Sequence, residues 1–410
     1  MRTLATAETL QVAIDTARSA ARPLQELPTE ELLAILTEVL RDLGSRTSPG
    51  GMTLRRDLEQ TTGLTSAMIE WALETTLAAH SPEALRTLAR GFDHPHGGTR
   101  RPATLHALVL SANVFTACIS PIIWSLLARV PTVAKASSRD DTLPHAFVAS
   151  IRRHGPHIAR ALQVATFPGG QGALEDILLS QAEAVSIYGH DHTLRTLSAR
   201  VPPTATVIAH GQGLGVGLIP AGTLRGPAEA PRLADQIALD VAAYDQRGCL
   251  SPHAILVQRG NGLDAEQLAP FVFDALARCA IKLPRGGLPR EVAAAQLQWR
   301  GVAQARGTLL EGDGFAVSVE AGIPLRLSPG YRNIGLYNLA PGGDELRAHL
   351  TPFGTHLKAL GVAGDDAVGQ SIGDSLPPGL VPRISSLGSM QTPPVHGLVE
   401  GRMPWHGLLR

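Results

Sequence analysis

The chain has 410 residues, and its 36 Asp and Glu balance 36 Lys and Arg, so the formal net charge at neutral pH is zero. That balance argues against a nucleic-acid or anionic-membrane surface, and a chain of this length suggests two or three domains. Hydrophobic residues make up 44%, ordinary for a globular protein, and three cysteines without paired spacing suggest neither a disulfide framework nor a zinc site.

The N-terminus shows no apolar signal core, and Glu8, Asp15, Glu26 and Glu30 among its arginines argue against a transit peptide. No stretch reaches the roughly 18 uninterrupted apolar residues of a membrane helix. The longest candidate, Val114 to Val130, is broken by Pro121 and Arg129. The expected compartment is the cytoplasm, where a reducing environment lets a thiolate survive.

Residues 1–91 are predicted helical. Leu27-Pro28-Thr29-Glu30-Glu31 opens a helix with Leu32, Leu33, Ile35, Leu36, Val39 and Leu40 at helical spacing. Thr65 to Leu77 repeats the pattern, and Ser81-Pro82-Glu83 starts another helix. This region reads as a packing layer without catalytic residues. His94 to Arg101, rich in Gly, Pro and His, reads as an extended crossing; His94 and His96 are too few ligands for a metal site.

The texture then changes to strand, helix, strand. Leu105 to Leu110, Pro131 to Ser138, Val164 to Phe167, Ala184 to Gly189 and Thr206 to Ala209 are predicted strands, with helices between them. This spacing implies an open, mainly parallel α/β sheet, whose ligands sit beyond the carboxyl ends of the strands. Asn113, Lys135, Gly189 and His210 stand at such ends. Gly211-Gln212-Gly213-Leu214-Gly215-Val216-Gly217 contains a Gly-x-Gly run but lacks the full spacing of a dinucleotide fingerprint.

Cys249 stands in Asp245-Gln246-Arg247-Gly248-Cys249-Leu250-Ser251-Pro252-His253, between the end of a helix and the apolar strand Ala254 to Val257. Free cysteines are most often small buried hydrophobes. A thiol on a turn with polar neighbours is instead placed to meet a substrate, and Arg247 or His253 is positioned in sequence to favour the thiolate. A second α/β segment follows, with Cys279 on the apolar side of the helix Ala265 to Ile281. The tail from Arg383 to Arg410 is rich in Gly and Pro and reads as a surface or subunit-contact segment.

The layout resembles the aldehyde dehydrogenase superfamily. The residues that carry the likeness are Asn113 in Ser-Ala-Asn-Val-Phe, Lys135 in Val-Ala-Lys-Ala-Ser-Ser, Gly189 in Ile-Tyr-Gly-His-Asp, and Cys249 with Gln246 before it. Within that superfamily the chain is most similar to acyl-CoA reductases of the bioluminescence fatty acid reductase type. That closer likeness rests on Asp245 to Pro252, Ala209-His210-Gly211, Ser328-Pro329-Gly330-Tyr331-Arg332 and Leu387-Gly388-Ser389-Met390-Gln391-Thr392-Pro393-Pro394.

The resemblance implies an α/β fold of the aldehyde dehydrogenase kind, with two Rossmann-like domains. On it, residues 1–91 form a helical region packing on the cofactor domain, 92–240 the nicotinamide cofactor domain, 241–375 the catalytic domain carrying Cys249, and 376–410 a small oligomerisation extension. It implies that Cys249 attacks an acyl thioester, that Asn113 and the Cys249 N–H hold the oxyanion, and that Lys135, Ser137, Ser138, Gly189 and His190 bind the cofactor. Ser138 and Arg139 leave room and charge for a 2′-phosphate, which points to NADPH over NADH. His210 stands where aldehyde-oxidising relatives carry a glutamate, so it is either an acid–base group or a hydrogen-bonding pocket residue. The superfamily's Glu-x-Phe-Gly-Pro ribose contact has no counterpart, and Ser328 to Arg332 is a candidate substitute.

The expected activity is reduction of a fatty acyl thioester to an aldehyde. Its alternatives are an aldehyde dehydrogenase working oxidatively and a non-reducing acyl-carrying or scaffolding subunit. The acyl donor is coenzyme A, a carrier protein or a partner synthetase. A homo-oligomer is implied by the superfamily's habit of exchanging a strand, for which the pieces near Gly97 and in the tail would serve.

Overall fold

A computed structural model describes residues 4–93, 101–224, 226–260, 262–320, 325–377 and 379–410. The readings of His94, His96 and the stretch near Gly97 lie outside these residues. The chain divides into two units, Met1–Gly63 with Ile69–Gln212 and Pro394–Arg410, and Leu64–Met68 with Gly213–Pro393.

The first unit is built on five parallel strands: β1 His106–Val109, β2 Thr132–Ala136, β3 Leu162–Thr166, β4 Ala184–Gly189 and β5 Thr206–Gly211. Their order is β3-β2-β1-β4-β5. All residues of β1 and β2 are buried, as expected for parallel strands covered on both faces, which read as continuous apolar runs. Leu10, Ile14 and Ala17 of the helix Ala7–Ser19 pack against Ala107, Val133, Val185 and Ile187. Their spacing puts all three on one helical face, and Thr6 with Thr9 forms a reciprocal cap at the helix start. The helix Thr29–Gly44 buries Leu32, Leu36, Val39 and Leu43. The chain order reverses between β1 and β4, which makes the crevice beyond their carboxyl ends the ligand-binding place of such a sheet.

The end of the chain returns to this unit. Ala103 N–H donates to the Leu408 carbonyl at 2.9 Å, and residues Arg101 and Arg410 exchange N–H···O bonds of 2.9 Å. Gly91 is needed beside Trp405, because a Cβ there would lie 2.3 Å from the indole ring.

The second unit holds seven strands: β6 Leu214–Ile219, β7 Pro252–Gln258, β8 Gly307–Gly312, β9 Phe315–Glu320, β10 Asn333–Leu339, β11 Leu357–Val362 and β12 Arg383–Ser386. Their order is β12-β11-β6-β7-β10-β9-β8, all pairs being parallel except the β8–β9 hairpin at one edge. The helices Ala230–Ala242 and Ala265–Lys282 bury Ile237, Val241, Leu268, Val272 and Leu276 against one face. Leu346, Leu350 and Leu380 cover the other.

The Gly-rich run after His210 is not a phosphate loop. It forms the end of β5 and most of β6. A Cβ on Gly215 would lie 2.4 Å from the Leu250 carbonyl oxygen, and one on Gly217 would lie 2.4 Å from the Ile255 side chain. These glycines let the segment after Cys249 lie flat on β6. Among the described residues, no helix is long and apolar enough to cross a membrane.

Candidate active site

In the second unit, the helix Ala230–Ala242 ends in an unusual turn. Tyr244, Asp245 and Gln246 have φ of 51°, 52° and 59°, three consecutive left-handed residues without a glycine among them. Each is at most 3% exposed. Left-handed backbone costs roughly 1–2 kcal/mol per ordinary residue, so this turn persists only because its surroundings determine it.

The surroundings are polar and buried. Arg332, 1% exposed, donates through Nη2 to Asp245 Oδ1 at 2.7 Å and through Nη1 to the Leu283 carbonyl at 2.7 Å. Gly286 N–H donates to the other Asp245 oxygen at 3.0 Å. Gln246 Nε2 lies 2.7 Å from the Pro252 carbonyl and 2.9 Å from that of Asn333, while Gln246 Oε1 accepts from Asn333 N–H at 3.1 Å. The segment Gly330, Tyr331, Arg332 is itself left-handed, with φ of 79°, 51° and 67°. Two strained turns, 87 residues apart, thus hold one another. The Ser328 to Arg332 motif, read from sequence as a candidate ribose contact, is spent on this clamp: Ser328 and Arg332 are buried and bonded to Gln246 and Asp245.

Beyond the clamp, Ser251 N–H donates to the Gly248 carbonyl at 3.1 Å and closes a turn that carries Cys249. Cys249 is exposed, Cys279 is half-buried and Cys118 is buried. Burial pushes the thiols of Cys118 and Cys279 up, which keeps them protonated and unreactive. Of the three cysteines, Cys249 alone is open to a substrate.

One cation coupled to Cys249 was not legible in the sequence. His253 donates Nδ1–H to the Ser328 carbonyl at 2.9 Å, and burial lowers its pKa, so it is neutral. Arg247 Nε donates to the Tyr244 carbonyl and helps close the turn. Arg383 is an arginine electrostatically coupled to Cys249; burial lowers its pKa and the Cys249 charge raises it. Arg383 pairs with Ala359, Ala359 with Gly215, and Gly215 with Pro252, so the four share one row across the sheet. The residues after it, Leu387 to Gln391, are held down by Asp240, whose carboxylate accepts from Gly388 N–H at 2.6 Å and Met390 N–H at 3.0 Å.

In the first unit, the other candidate residues gather at the carboxyl end of the five-stranded sheet. Asn113 is exposed on the loop after β1. Lys135, on β2, is 8% exposed, lies 5.3 Å from the Phe167 ring centre, and has its pKa lowered by burial. Ser137 Oγ accepts from Arg139 N–H at 3.2 Å, and Ser138 and Arg139 are exposed beyond it. Gly189 ends β4 and packs against Thr193, which would lie 3.2 Å from an added Cβ. His190 precedes the helix Asp191–Ser198 and meets Gln212 Oε1 through Nδ1 at 2.5 Å. His210 stacks on Tyr188, with ring centres 4.2 Å apart and planes at 13°. Among the described residues, no group of three or more His, Cys, Asp or Glu is arranged to hold a metal ion.

The acyl-CoA reductase (LuxC) family model matches residues 24–400. No curated protein matches the chain. Among solved structures, the chain is similar to bifunctional proline utilization A, with a TM-score of 0.72 and 17% identity over 100% of this chain and 44% of that one. The chain therefore spans less than half the length of that bifunctional protein. It is also similar to a putative aldehyde dehydrogenase from Anabaena variabilis, with a TM-score of 0.67 and 16% identity over 91% of this chain and 83% of the other. NADP-dependent glyceraldehyde-3-phosphate dehydrogenase from Bacillus halodurans, in complex with NADP, gives a TM-score of 0.70 and 14% identity over 99% and 90%. The fold is that of the aldehyde dehydrogenases.

Proposed function

We propose a function from one premise: this chain belongs to the acyl-CoA reductase (LuxC) family. It reduces a fatty acyl thioester, with acyl-CoA as donor, to the aldehyde through an acyl-enzyme on Cys249, with NADPH as reductant. The observation that carries this reading is the exposed Cys249 on a turn locked by the buried Asp245–Arg332 pair.

The residues of the first unit fit a nicotinamide dinucleotide. The reversal of strand order between β1 and β4 supplies the crevice. Gly189 precedes the start of the helix Asp191–Ser198, where a larger residue would meet Thr193. Lys135 and Ser137 would hold the adenosine ribose, and the exposed Ser138 and Arg139 suit a 2′-phosphate. When bound, the cofactor supplies hydride to the acyl carbon.

The chain's own residues do the rest. Cys249 Sγ bonds to the thioester carbonyl carbon, and the bond to the coenzyme A sulfur breaks, releasing coenzyme A as its thiol after it takes up a proton. After reduction, the Cys249 Sγ–carbon bond breaks as the oxyanion re-forms a carbonyl, giving free aldehyde and regenerating the thiolate. The side-chain amide of Asn113 donates to the substrate oxygen while it carries charge. His210 moves the proton through Nε2, its Nδ1 being turned to Glu400 at 3.7 Å. With a histidine at the end of β5, the acyl group is handed to hydride rather than to water.

The test is a series of acyl-CoA substrates, short to long, assayed with NADPH and with NADH, the aldehyde being trapped as its hydrazone. The proposal expects aldehyde from long chains, one coenzyme A thiol per aldehyde, and a preference for NADPH. Absence of aldehyde from every chain length with both cofactors would refute it.

A further inference from the structure

We infer that Glu400 is the positioning residue of His210: its carboxylate faces Nδ1, fixes the tautomer of the imidazole and leaves Nε2 to exchange a proton. This rests on the role proposed above for His210.

Residues 399–402 form a strained turn. Val399 and Arg402 exchange both backbone hydrogen bonds, Val399 N–H to the Arg402 carbonyl at 2.8 Å and Arg402 N–H to the Val399 carbonyl at 3.0 Å. They enclose two residues, Glu400 with φ of 51° and Gly401 with φ of 73°. Positive φ at both centres is the type I′ turn, which strongly favours Asn-Gly, Asp-Gly or Gly-Gly. Asn and Asp tolerate the first position because a short polar side chain bonds the local backbone. Glutamate has a Cβ and a longer side chain, and has no such advantage. A residue that is unfavourable for its own turn has its use elsewhere.

The side chain points to that use. Glu400 Oε1 lies 3.7 Å from His210 Nδ1, an ion-pair distance, and the two side chains are 33% and 12% exposed. The stacking of His210 on Tyr188 fixes the plane of the ring, and the carboxylate then fixes which nitrogen carries the proton. Catalytic contacts of this kind are often long before substrate binds and shorten when the imidazole becomes charged.

Other titratable groups face the same place. Glu400, Arg402 and His406 from the C-terminal segment, His106 from β1 and His210 from β5 line one cavity of about 20 Å³, with Tyr188 of β4 against the His210 ring. His106 is neutral, since burial lowers its pKa to about 3 with a smaller push from His210. Its tautomer is fixed as well: Ser125 Oγ donates to the Pro121 carbonyl and so accepts from His106 Nδ1–H, while Nε2 accepts from Ser186. Arg402 is exposed. Glu400 is the acid among these groups.

The experiment uses the full chain and five variants, E400Q, E400D, E400N, H210Q and E400Q/H210Q, with the histidine ring nitrogens followed by NMR and aldehyde formation by steady-state kinetics. H210Q assigns the His210 signal. Gln offers a weaker, uncharged acceptor to Nδ1–H, so E400Q moves the His210 ring toward the Nε2–H tautomer, read from its imidazole 15N shifts. With the wrong nitrogen protonated, kcat falls about tenfold or more while KM stays within about twofold, and E400D restores part of the loss. E400N separates this from folding: it suits the turn better, so Tm stays level or rises while kcat falls. In E400Q/H210Q the loss matches that of H210Q alone. A His210 tautomer unmoved by E400Q, or losses that add in the double variant, overturns the inference while leaving His210 its role. A wild-type rate in H210Q removes the role of His210 itself, and the positioning role of Glu400 falls with it.

Discussion

Arg332→Met tests whether the clamp under Cys249 does what its geometry says. The Asp245 and Arg332 side chains are each 2% exposed. Removing the guanidinium leaves a buried carboxylate with the Gly286 N–H in place of its countercharge, and breaking a buried pair by deleting one partner costs about 3–5 kcal/mol. The three left-handed residues at Tyr244, Asp245 and Gln246 hold a further strain of about 3–6 kcal/mol, at 1–2 each. Both terms relax if the turn unwinds, so the expected outcome is a loss of position at Cys249 as well as a loss of stability. A displacement of about 1 Å is worth about 100-fold in rate. Urea unfolding of R332M, D245N and the double variant measures the first effect, and single-turnover acylation of Cys249 the second. Each single variant should lose about 3–5 kcal/mol, and the double variant less than the sum by about 2 kcal/mol or more. Losses that add within about 0.5 kcal/mol, or acylation at the wild-type rate in both single variants, would refute the reasoning.

Three other outcomes are expected. Arg383→Met removes the cation coupled to Cys249, so the pH profile of iodoacetamide labelling at Cys249 shifts upward and labelling at neutral pH slows several-fold. Asp240 has its pKa raised to about 7, chiefly by burial, with the backbone N–H donors opposing. A carboxyl raised in the folded state binds more protons there than in the unfolded chain, so its contribution is full below the unfolded pKa and is lost as pH rises through the folded one. D240N should therefore flatten a fall in stability between about pH 4 and 7 that is on the order of 4 kcal/mol in the wild type, read by urea unfolding at a series of pH values. Gly215→Ala puts a Cβ 2.4 Å from the Leu250 carbonyl oxygen; it should cost about 1–3 kcal/mol and slow acylation, because backbone rather than a side-chain end must move.

Much of this was legible in the sequence, and the omissions have physical reasons. The parallel strands of the first sheet announce themselves because burial on both faces makes each a short apolar run between polar turns, as in Val133 to Ala136 and Val185 to Ile187. Cys249 stands out because Gly248 and Ser251-Pro252 mark a turn where a buried strand would have hidden a thiol. β6 was not legible: Gly215 and Gly217 are there for contacts with Leu250 and Ile255, and a strand with little side chain has no alternation to read. The Asp245–Arg332 clamp and the row that Arg383 shares with Pro252 depend on pairings across long stretches of chain, which a single sequence does not display. Glu400 carried the weakest signal, a Glu-Gly pair in a Gly- and Pro-rich tail, and gains meaning only once its φ of 51° and its distance to His210 are known.

The central claim is that Cys249 carries the acyl group and gives it up to hydride. The most direct test is intact-mass spectrometry of the protein mixed with a long-chain acyl-CoA, with and without NADPH, beside Cys249→Ala. The account predicts one acyl adduct on the wild type, none on C249A, and disappearance of the adduct with release of aldehyde when NADPH is added. An adduct that survives NADPH, or one that forms equally on C249A, would contradict it.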